Sequence, residues 1–298
     1  ELAETSGCKN YHLFLCNSGA EANENALKLA SFQTNKKKVI AFKNGFHGRT
    51  SAAVAVTDNS KIIAPINAQQ EIELFNLGDL QGVEAALKQQ DVCAVIIECI
   101  QGVGGLDESK TSFYRGLHLL CKKYEVVLIA DEVQSGFGRT GDFFAFQKHK
   151  ITPDIISMAK GMGNGFPVGG ILIHSSIKAS FGLLGTTFGG NHLACTASLT
   201  VLEVLKTEKL QKNAKEIFDY FKKQALKIPK VKAIKGRGLM LGLEFDFPVA
   251  ALRKELIYKH HIFTGNAKNP NLLRILPPLT IQKKHIDLFI EALKIEVS

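Results

Sequence analysis

The chain has 298 residues, of which 45% are hydrophobic and 22% charged, and its formal net charge is +9. This composition is ordinary for a globular protein with a sizeable core and room for more than one domain. The longest apolar runs have the length of strands, so the sequence predicts no membrane span, and no signal-peptide pattern opens the chain. Six scattered cysteines without CxxC spacing indicate reduced thiols and a cytoplasmic location.

The positive charge by itself could indicate a nucleic-acid-binding protein. Only six of the 37 basic residues are arginines, however, and many lysines follow amphipathic helical patterns such as residues 206–227. No RNA- or DNA-binding motif accompanies them, and an anionic cofactor with acidic substrates fits a basic protein equally well. We therefore expect no nucleic-acid partner.

Strand and helix patterns alternate through the first two hundred residues. Near-continuous apolar runs predict strands at 13–16, 39–42, 92–97, 126–130, 155–158 and 170–174. Helical periodicity predicts helices at 20–31, 80–88, 113–123 and 192–205. Buried strands separated by helices are typical of a largely parallel sheet covered on both faces, so residues 1–207 are predicted to form a large α/β domain.

The sequence pattern changes after about residue 208. A helix rich in lysine leads to Lys235-Gly236-Arg237-Gly238 and a strand-like run at 239–245. A helix near 250–259, a short apolar run at 272–276 and a final helix at 283–293 follow. We expect a smaller α+β domain over residues 208–298.

Asp131 and Lys160 follow two of the predicted strands and are the strongest candidates for chemistry. Asp131 ends the run at 126–130, and Lys160 opens the glycine-rich loop 161–165. The carboxyl ends of buried parallel strands meet in the crevice where open α/β sheets bind ligands. Pyridoxal phosphate (PLP) catalysis needs such a pair, because a lysine holds the cofactor as a Schiff base and a carboxylate keeps the pyridine nitrogen protonated.

A magnesium site is the alternative for the acidic pair Asp131-Glu132, since Mg²⁺ prefers carboxylate ligands. The Lys160 loop nearby makes this alternative less favourable. The nine histidines show no HxxxH or HxH spacing, so we expect no metal site.

Three further turns carry groups that suit the cofactor, although each alone is more typical of a helix cap or a tight turn. Ser18, Gly19 and Ala20 lie where a strand turns into a helix, and free amides there form a phosphate cradle. Phe46, which follows a glycine, can stack on a ring, and Arg49 could bind a carboxylate. A third turn precedes the helix at 192–205 and offers threonine hydroxyls.

Taken together, these motifs resemble the class III (ornithine-type) PLP-dependent aminotransferases, in order and over essentially the whole chain. The matching segments are NSGAEANENALKLA, GFHGRT, IIECIQGVGG, LIADEVQSGFGRTG, SMAKGMGNGFPVGG, TTFGGNHLA, GRGLMLGLEF and LRILPPL. Within the family the sequence most resembles acetylornithine aminotransferases and their succinylornithine-using relatives. The resemblance implies the type I fold of PLP-dependent transferases, with a mostly parallel seven-stranded sheet.

The resemblance also implies a role for each matching residue. Those implied to hold the cofactor are Ser18, Gly19, Ala20, Phe46, Asp131, Val133, Gln134, Lys160 and Thr187. Phe46 and Val133 would enclose the ring, and Gln134 would face its oxygen. The substrate would contact Arg49, Thr186 and Arg274, while Glu98 would support the site from behind.

The implied reaction moves the terminal amino group of N-acetylornithine or N-succinylornithine to 2-oxoglutarate in arginine biosynthesis. Thr187 is implied to reach the phosphate of a neighbouring subunit, so the active unit would be a homodimer. Three alternatives stay open. They are an ornithine or 4-aminobutyrate aminotransferase, a decarboxylase or racemase on the same scaffold, and a PLP-binding protein without turnover.

The sequence departs from the family pattern in two places. Relatives usually carry a substantial further segment before the position of Glu1, which contributes to the small domain and to substrate contacts. Many relatives also carry a glutamate in the QGxGG turn that pairs with the arginine equivalent to Arg274, and here that position is Val103. An ornithine or 4-aminobutyrate enzyme that depends on this charge pair is therefore less well supported.

Overall fold

The computed structural model describes residues 1–178 and 180–297. A seven-stranded sheet has the order β1-β7-β6-β5-β4-β2-β3. Its strands are β1 (Tyr11–Cys16), β2 (Lys38–Phe42), β3 (Ile72–Phe75), β4 (Val92–Ile97), β5 (Val127–Asp131), β6 (Ile155–Met158) and β7 (Gly169–His174). Strand β7 is antiparallel to β1 and β6, and the other neighbours are parallel. The predicted α/β fold with a mostly parallel seven-stranded sheet is confirmed.

Helices cover both faces of this sheet, so its central strands β4, β5 and β6 are buried along their whole length. The helices of this part are α1 (Leu2–Ser6), α2 (Gly19–Thr34), α3 (Ser51–Ala55), α4 (Leu80–Leu87), α5 (Thr111–Lys123) and α6 (His192–Thr207). Helix α2 packs on one face through Ala22 and Leu27. On the other face Val83 of α4 and Leu117 of α5 pack in a second core.

The C-terminal part forms a four-stranded antiparallel sheet in the order β10-β11-β9-β8. Its elements are α7 (Leu210–Ala225), β8 (Ala233–Arg237), β9 (Met240–Glu244), α8 (Ala250–Tyr258), β10 (Gly265–Asn266), β11 (Leu272–Ile275) and α9 (Lys283–Val297). A core of its own, with Phe221, Leu241 and Leu293 at the centre, lies between these helices and strands. The predicted division at residues 207 and 208 falls between α6 and α7 and stays a prediction.

Polar contacts join the two parts beside the C-terminal edge of the large sheet. Arg139 donates from Nη1 to the carbonyl oxygens of Leu239 and Pro277. Arg237 pairs with Asp142 at 2.8 Å. These contacts fix β8, the turn before β9 and the segment that follows β11 against the loop after β5. Within the described residues, no helix has the length and apolar character needed to cross a membrane.

Candidate active site

Asp131 lies at the end of β5 and is the most completely bonded polar side chain of the predicted site. Its Oδ2 accepts hydrogen bonds from Asn23 Nδ2 at 2.8 Å and from His47 Nδ1 at 2.7 Å. Its Oδ1 accepts one from the Val133 amide at 3.0 Å. A carboxylate can accept about four hydrogen bonds, so Oδ1 keeps room for one further donor. Burial and these bonds hold the carboxylate in one orientation.

Two buried titratable groups accompany Asp131. Burial favours the neutral ring of His47, but the hydrogen bond to Asp131 and the charges of Asp131 and Glu98 raise its pKa above the usual value. Burial raises the pKa of Glu98 to about 7, against the opposing charge of His47. The site therefore combines a carboxyl whose pKa is raised by burial with an imidazole whose pKa is raised by its carboxylate partner.

The turn between β1 and α2 packs directly against the turn after β5. A Cβ at Gly19 would lie 2.5 Å from Val133 Cγ1, so only glycine allows this approach. Helix α2 begins at Gly19, and the amides of Gly19 and Ala20 therefore have no carbonyl one turn earlier in the helix. Ser18 caps the helix through the Glu21 amide. Free amides at this end favour a bound anion such as a phosphate.

The turn that carries Phe46 joins the same group of residues. Gly48 approaches α2 so closely that a Cβ would lie 2.8 Å from Ala20 Cβ. Asn23 donates to the His47 carbonyl oxygen at 2.7 Å. The Phe46 amide donates to Glu98 Oε1 at 2.9 Å. Phe46 is half-buried, which leaves part of its ring available to a ligand.

Lys160 lies immediately beyond β6, next to β5, where Asp131 is paired with Ser157. Its backbone φ is 46°, in the left-handed region that costs energy for residues other than glycine and occurs often at functional sites. A cavity of about 500 Å³ opens beside it. Gln134, Arg139 and Arg274 also line this cavity. Among the described residues, the Lys160 amine has no hydrogen-bond or ion-pair partner.

Gln134 and Arg274 meet at Gly102, in the turn after β4. A Cβ at Gly102 would lie 2.3 Å from Gln134 Oε1, and the Gly102 carbonyl accepts from Arg274 Nη1 at 2.8 Å. Gln134 Oε1 and Arg274 Nε are buried without a hydrogen-bond partner. Burial, then the charge of Arg253, lowers the pKa of the Arg274 guanidinium. These unpaired atoms suit a ligand that brings a donor and an anionic acceptor.

The other predicted substrate contacts, Arg49 and Thr186, and the predicted phosphate contact Thr187 lie at the surface. Arg49 is exposed, and its side chain pairs with no group in residues 1–178 and 180–297. Thr186 Oγ1 accepts from Asn17 Nδ2 at 3.3 Å, which places it beside the turn that leads into α2. Thr187 is exposed and makes no side-chain hydrogen bond to a described residue. Within one chain, Thr187 and Arg49 therefore lie apart from the buried residues around Asp131.

The comparisons with known proteins decide the family. Residues 1–296 match the family model described as aminotransferase class-III. The chain belongs to the class-III aminotransferases. This transaminase is 40% identical over 296 residues to an acetylornithine aminotransferase of Aquifex aeolicus, a match that covers 95% of this chain and 76% of that protein. It is also 40% identical over 290 residues to one of Bacillus subtilis, with 95% and 74% covered.

Solved structures agree with this family. An ornithine aminotransferase from Toxoplasma gondii, described with partial occupancy of PLP at its active site, superposes with a TM-score of 0.89 and 30% identity. That match covers 99% of this transaminase and 74% of the Toxoplasma chain. An S-selective transaminase from Arthrobacter sp. shares the fold, with a TM-score of 0.90 and 22% identity.

The residues present fit PLP, the cofactor of this transaminase. The unpartnered Gln134 Oε1 can accept from the ring hydroxyl, and the open position on Asp131 Oδ1 can accept from the pyridine N–H. The free amides at Gly19 and Ala20 would take the phosphate. No group of three or more metal-ligating side chains occurs within residues 1–178 and 180–297.

The sequence interpretation missed the two side chains that orient Asp131. Asn23 lies one turn into α2, and His47 lies between Phe46 and Gly48 in a motif quoted only for its neighbours. The available signal was a polar residue between glycines and an asparagine on the apolar face of a helix. Neither residue is near Asp131 in sequence, so only the tertiary structure pairs them.

Proposed function

We propose that the protein transfers the terminal amino group of N-acetylornithine or N-succinylornithine to 2-oxoglutarate, giving the semialdehyde and glutamate, in arginine biosynthesis. The observation that carries this proposal is the cavity on which Lys160, Gln134 and Arg274 lie together. An unpaired lysine amine beside an arginine without a carboxylate partner suits an amino donor that bears a carboxylate. The names of the Aquifex aeolicus and Bacillus subtilis relatives support the same donor.

Each residue of the proposed site has a distinct task. PLP, when bound, supplies an electron sink for the carbon that carries the transferred amino group. Asp131 would keep a proton on the pyridine nitrogen, and His47 and Asn23 already fix its carboxylate in one orientation. Lys160 would hold the cofactor and would move a proton to and from that substrate carbon. Apolar cavity walls, such as Val201, limit the access of water.

The arginines determine which substrates fit. Arg274 donates to one backbone carbonyl and has no carboxylate partner among the described residues, so it can bind a substrate carboxylate bidentately. Arg49 would bind the second carboxylate of 2-oxoglutarate, and Thr186 would lie against the substrate. Val103 cannot neutralise Arg274 as a glutamate would, so Arg274 stays available in both half-reactions. This favours N-acylated donors over the alternative donors ornithine and 4-aminobutyrate.

A homodimer would complete the phosphate site. The loop that carries Thr186 and Thr187 exposes Phe188 to 70%, and the adjoining helix exposes Leu193 to 71%. Large exposed apolar side chains grouped in this way are typical of a subunit interface. Thr187 of one protomer would then donate to the phosphate held by Gly19 of its partner.

Subunit complementation tests this arrangement. A mixture of Lys160→Ala and Thr187→Ala chains contains heterodimers in which one site lacks both defects. Random exchange of equal amounts should therefore restore about a quarter of the wild-type sites. Activity that stays at the mean of the two separate variants would contradict a shared site, as would a fully active monomer in light scattering.

Two further parts of the proposal concern organisation and location. Residues 1–207 would form the PLP-binding domain and residues 208–298 the smaller domain, in line with the separate C-terminal core. All six cysteines are free, which suits a reducing compartment such as the cytoplasm.

A comparison of donors tests the proposed reaction. The purified holoenzyme should use N-acetylornithine or N-succinylornithine with 2-oxoglutarate and form glutamate, and kcat/KM for free ornithine should be at least about tenfold lower. The measurement is glutamate formation at several donor concentrations. Equal kcat/KM for free ornithine would contradict the donor assignment but leave the transaminase assignment in place.

A further inference from the structure

Glu98 lies between the turn that carries Phe46 and the turn that carries Gly102, and it does not line the cavity. Its Oε1 accepts from the Phe46 amide and its Oε2 from the Gly102 amide, both at 2.9 Å. The carboxylate is buried at the end of β4, beside the end of β5. Both of its oxygens are therefore occupied by backbone amides of two different turns.

Gly102 links Glu98 to two residues that line the cavity. The Gln134 amide lies so close to the Cα of Gly102 that an added Cβ would displace that amide, and Arg274 donates to the Gly102 carbonyl oxygen. The position of Gly102 consequently sets the positions of the Gln134 amide and the Arg274 guanidinium. Phe46, on the other oxygen of Glu98, belongs to the turn that also carries His47, the partner of Asp131.

We propose that Glu98 is a positioning residue that holds the ring-binding turn at Phe46 and the substrate-binding arm at Arg274 in one fixed relation. This inference rests on the proposed function, because that proposal gives Phe46 and Arg274 their ligands. Glu98 acts through the two amides and touches neither the cofactor nor the substrate.

The substitution Glu98→Gln isolates this role, because it keeps the volume and one acceptor. The amide nitrogen of the new side chain would face one of the two backbone donors, so one hydrogen bond is lost and one buried N–H is left unpaired. We expect KM for 2-oxoglutarate and the apparent Kd for PLP to rise. The product of the two increases should be roughly tenfold to 100-fold. The value of kcat at saturating substrate and cofactor should change less than either.

Glu132 provides a matched control. It also follows a strand, is buried, and accepts from two backbone amides, those of Ala145 and Phe146, at 2.9 Å each. Its third bond comes from the Ser135 hydroxyl at 2.7 Å. None of these three partners lines the cavity, so Glu132→Gln should lower the melting temperature and leave KM and the Kd for PLP near wild type.

A double-mutant cycle separates positioning from general destabilisation. If Glu98 acts through Gly102 on Arg274, Arg274→Lys should raise KM much less in the Glu98→Gln background than in wild type. Additive effects would overturn the proposal, and so would equal KM values for Glu98→Gln and Glu132→Gln. PLP binding is measured separately, by equilibrium dialysis of the apo protein.

A second variant keeps the test decisive if Glu98→Gln does not fold. In Gly102→Ala the three atoms nearest to the new Cβ all belong to the flexible end of Gln134, so the fold should survive while that side chain is displaced. An unchanged Kd for PLP in Gly102→Ala would contradict the proposed role of this turn. If wild type showed no transamination with any donor, the proposed function would fail, whereas the dialysis comparison would still decide the role of Glu98 in cofactor binding.

Discussion

The site has a sheet side, around Asp131 at the end of β5, and a cavity side, around Lys160 and Arg274. The two sides hold their polar groups in opposite ways. On the sheet side, Asp131 is buried and accepts three hydrogen bonds from Asn23, His47 and Val133. On the cavity side, the Lys160 amine has no partner among the described residues, and Arg274 Nε is buried without one. Groups that must keep one orientation are fixed by the chain, and groups that must exchange partners during a reaction are left unpaired.

This contrast predicts how stability and activity separate. A substitution on the cavity side removes few internal bonds, so it should impair chemistry or binding while the fold survives. A substitution on the sheet side leaves buried donors without acceptors and should also reduce stability. The following variants test this difference, from the largest expected effect to the smallest.

Lys160→Ala should give the largest loss of activity for the smallest loss of stability. Removing an acid–base group alone typically costs 10²–10⁴-fold, and this lysine also holds the cofactor, so we expect turnover to fall by at least about 10³-fold. The side chain is exposed and unpaired, so the free energy of unfolding should stay within about 0.5 kcal/mol. Glutamate formation and urea unfolding measure both. A strongly destabilised variant would contradict the contrast.

Asp131→Asn should reduce both quantities. Losing the charge that keeps the pyridine nitrogen protonated should raise the barrier by about 3 kcal/mol or more, roughly a 100-fold loss or more in kcat. The amide that replaces one oxygen would also face donors from Asn23, His47 or Val133, which lowers stability. The neighbouring Glu132→Gln serves as control and should keep kcat. An Asp131→Asn enzyme within about tenfold of wild type would argue against the electron-sink role.

Arg274→Lys should impair substrate binding without affecting the cofactor. An ammonium cannot reproduce the bidentate contact of a guanidinium, and a charge-assisted contact contributes about 1.5–3 kcal/mol, so kcat/KM should fall by roughly tenfold to 150-fold. KM should rise for both the donor and 2-oxoglutarate, as measured by steady-state kinetics. A change confined to one of the two substrates would indicate that Arg274 serves one half-reaction only.

Glu132→Gln should change the pH dependence of stability rather than activity. Burial raises the pKa of Glu132 to about 7, whereas an unfolded glutamate titrates near about 4.3. The folded state therefore binds the extra proton between these values, and the stability that this carboxyl contributes below about pH 4.3 is lost as pH rises through about 7.

The difference in unfolding free energy between wild type and Glu132→Gln should thus fall with rising pH in this window, by up to about 1.4 kcal/mol per pH unit. Glu98 titrates in the same range in both proteins, so it cancels in the difference. Urea unfolding at a series of pH values gives the result. A difference independent of pH would contradict the burial argument.

The parts of the fold that could be predicted are those with a simple burial pattern. The runs at 92–97 and 155–158 coincide with β4 and β6, because both strands are mostly apolar and are buried on both faces. Strand β3 was missed because all four of its residues are only half-buried. Strand β8 was not predicted because it contains Lys235, Gly236 and Arg237, and Gly236 adopts φ 80° within it.

The residues of the candidate site also separate into those that a local pattern predicts and those that it does not. Asp131 and Lys160 were predicted because residues at strand ends gather at one edge of a sheet. The bonds of Glu98, of Asn23 and of His47 join turns far apart in sequence, and no local pattern encodes them. The contact of Thr187 remains a prediction, since it depends on a second copy of the chain.

The most direct test of the account is to locate the lysine that holds PLP. Reduction of the PLP-loaded protein with borohydride, followed by proteolysis and mass spectrometry, fixes the cofactor on whichever lysine carries it. The unpaired amine at the cavity predicts one modified peptide, labelled on Lys160, and no labelled peptide in Lys160→Ala. Labelling of another lysine in the wild-type protein, or persistent labelling of the variant, would contradict the central assignment.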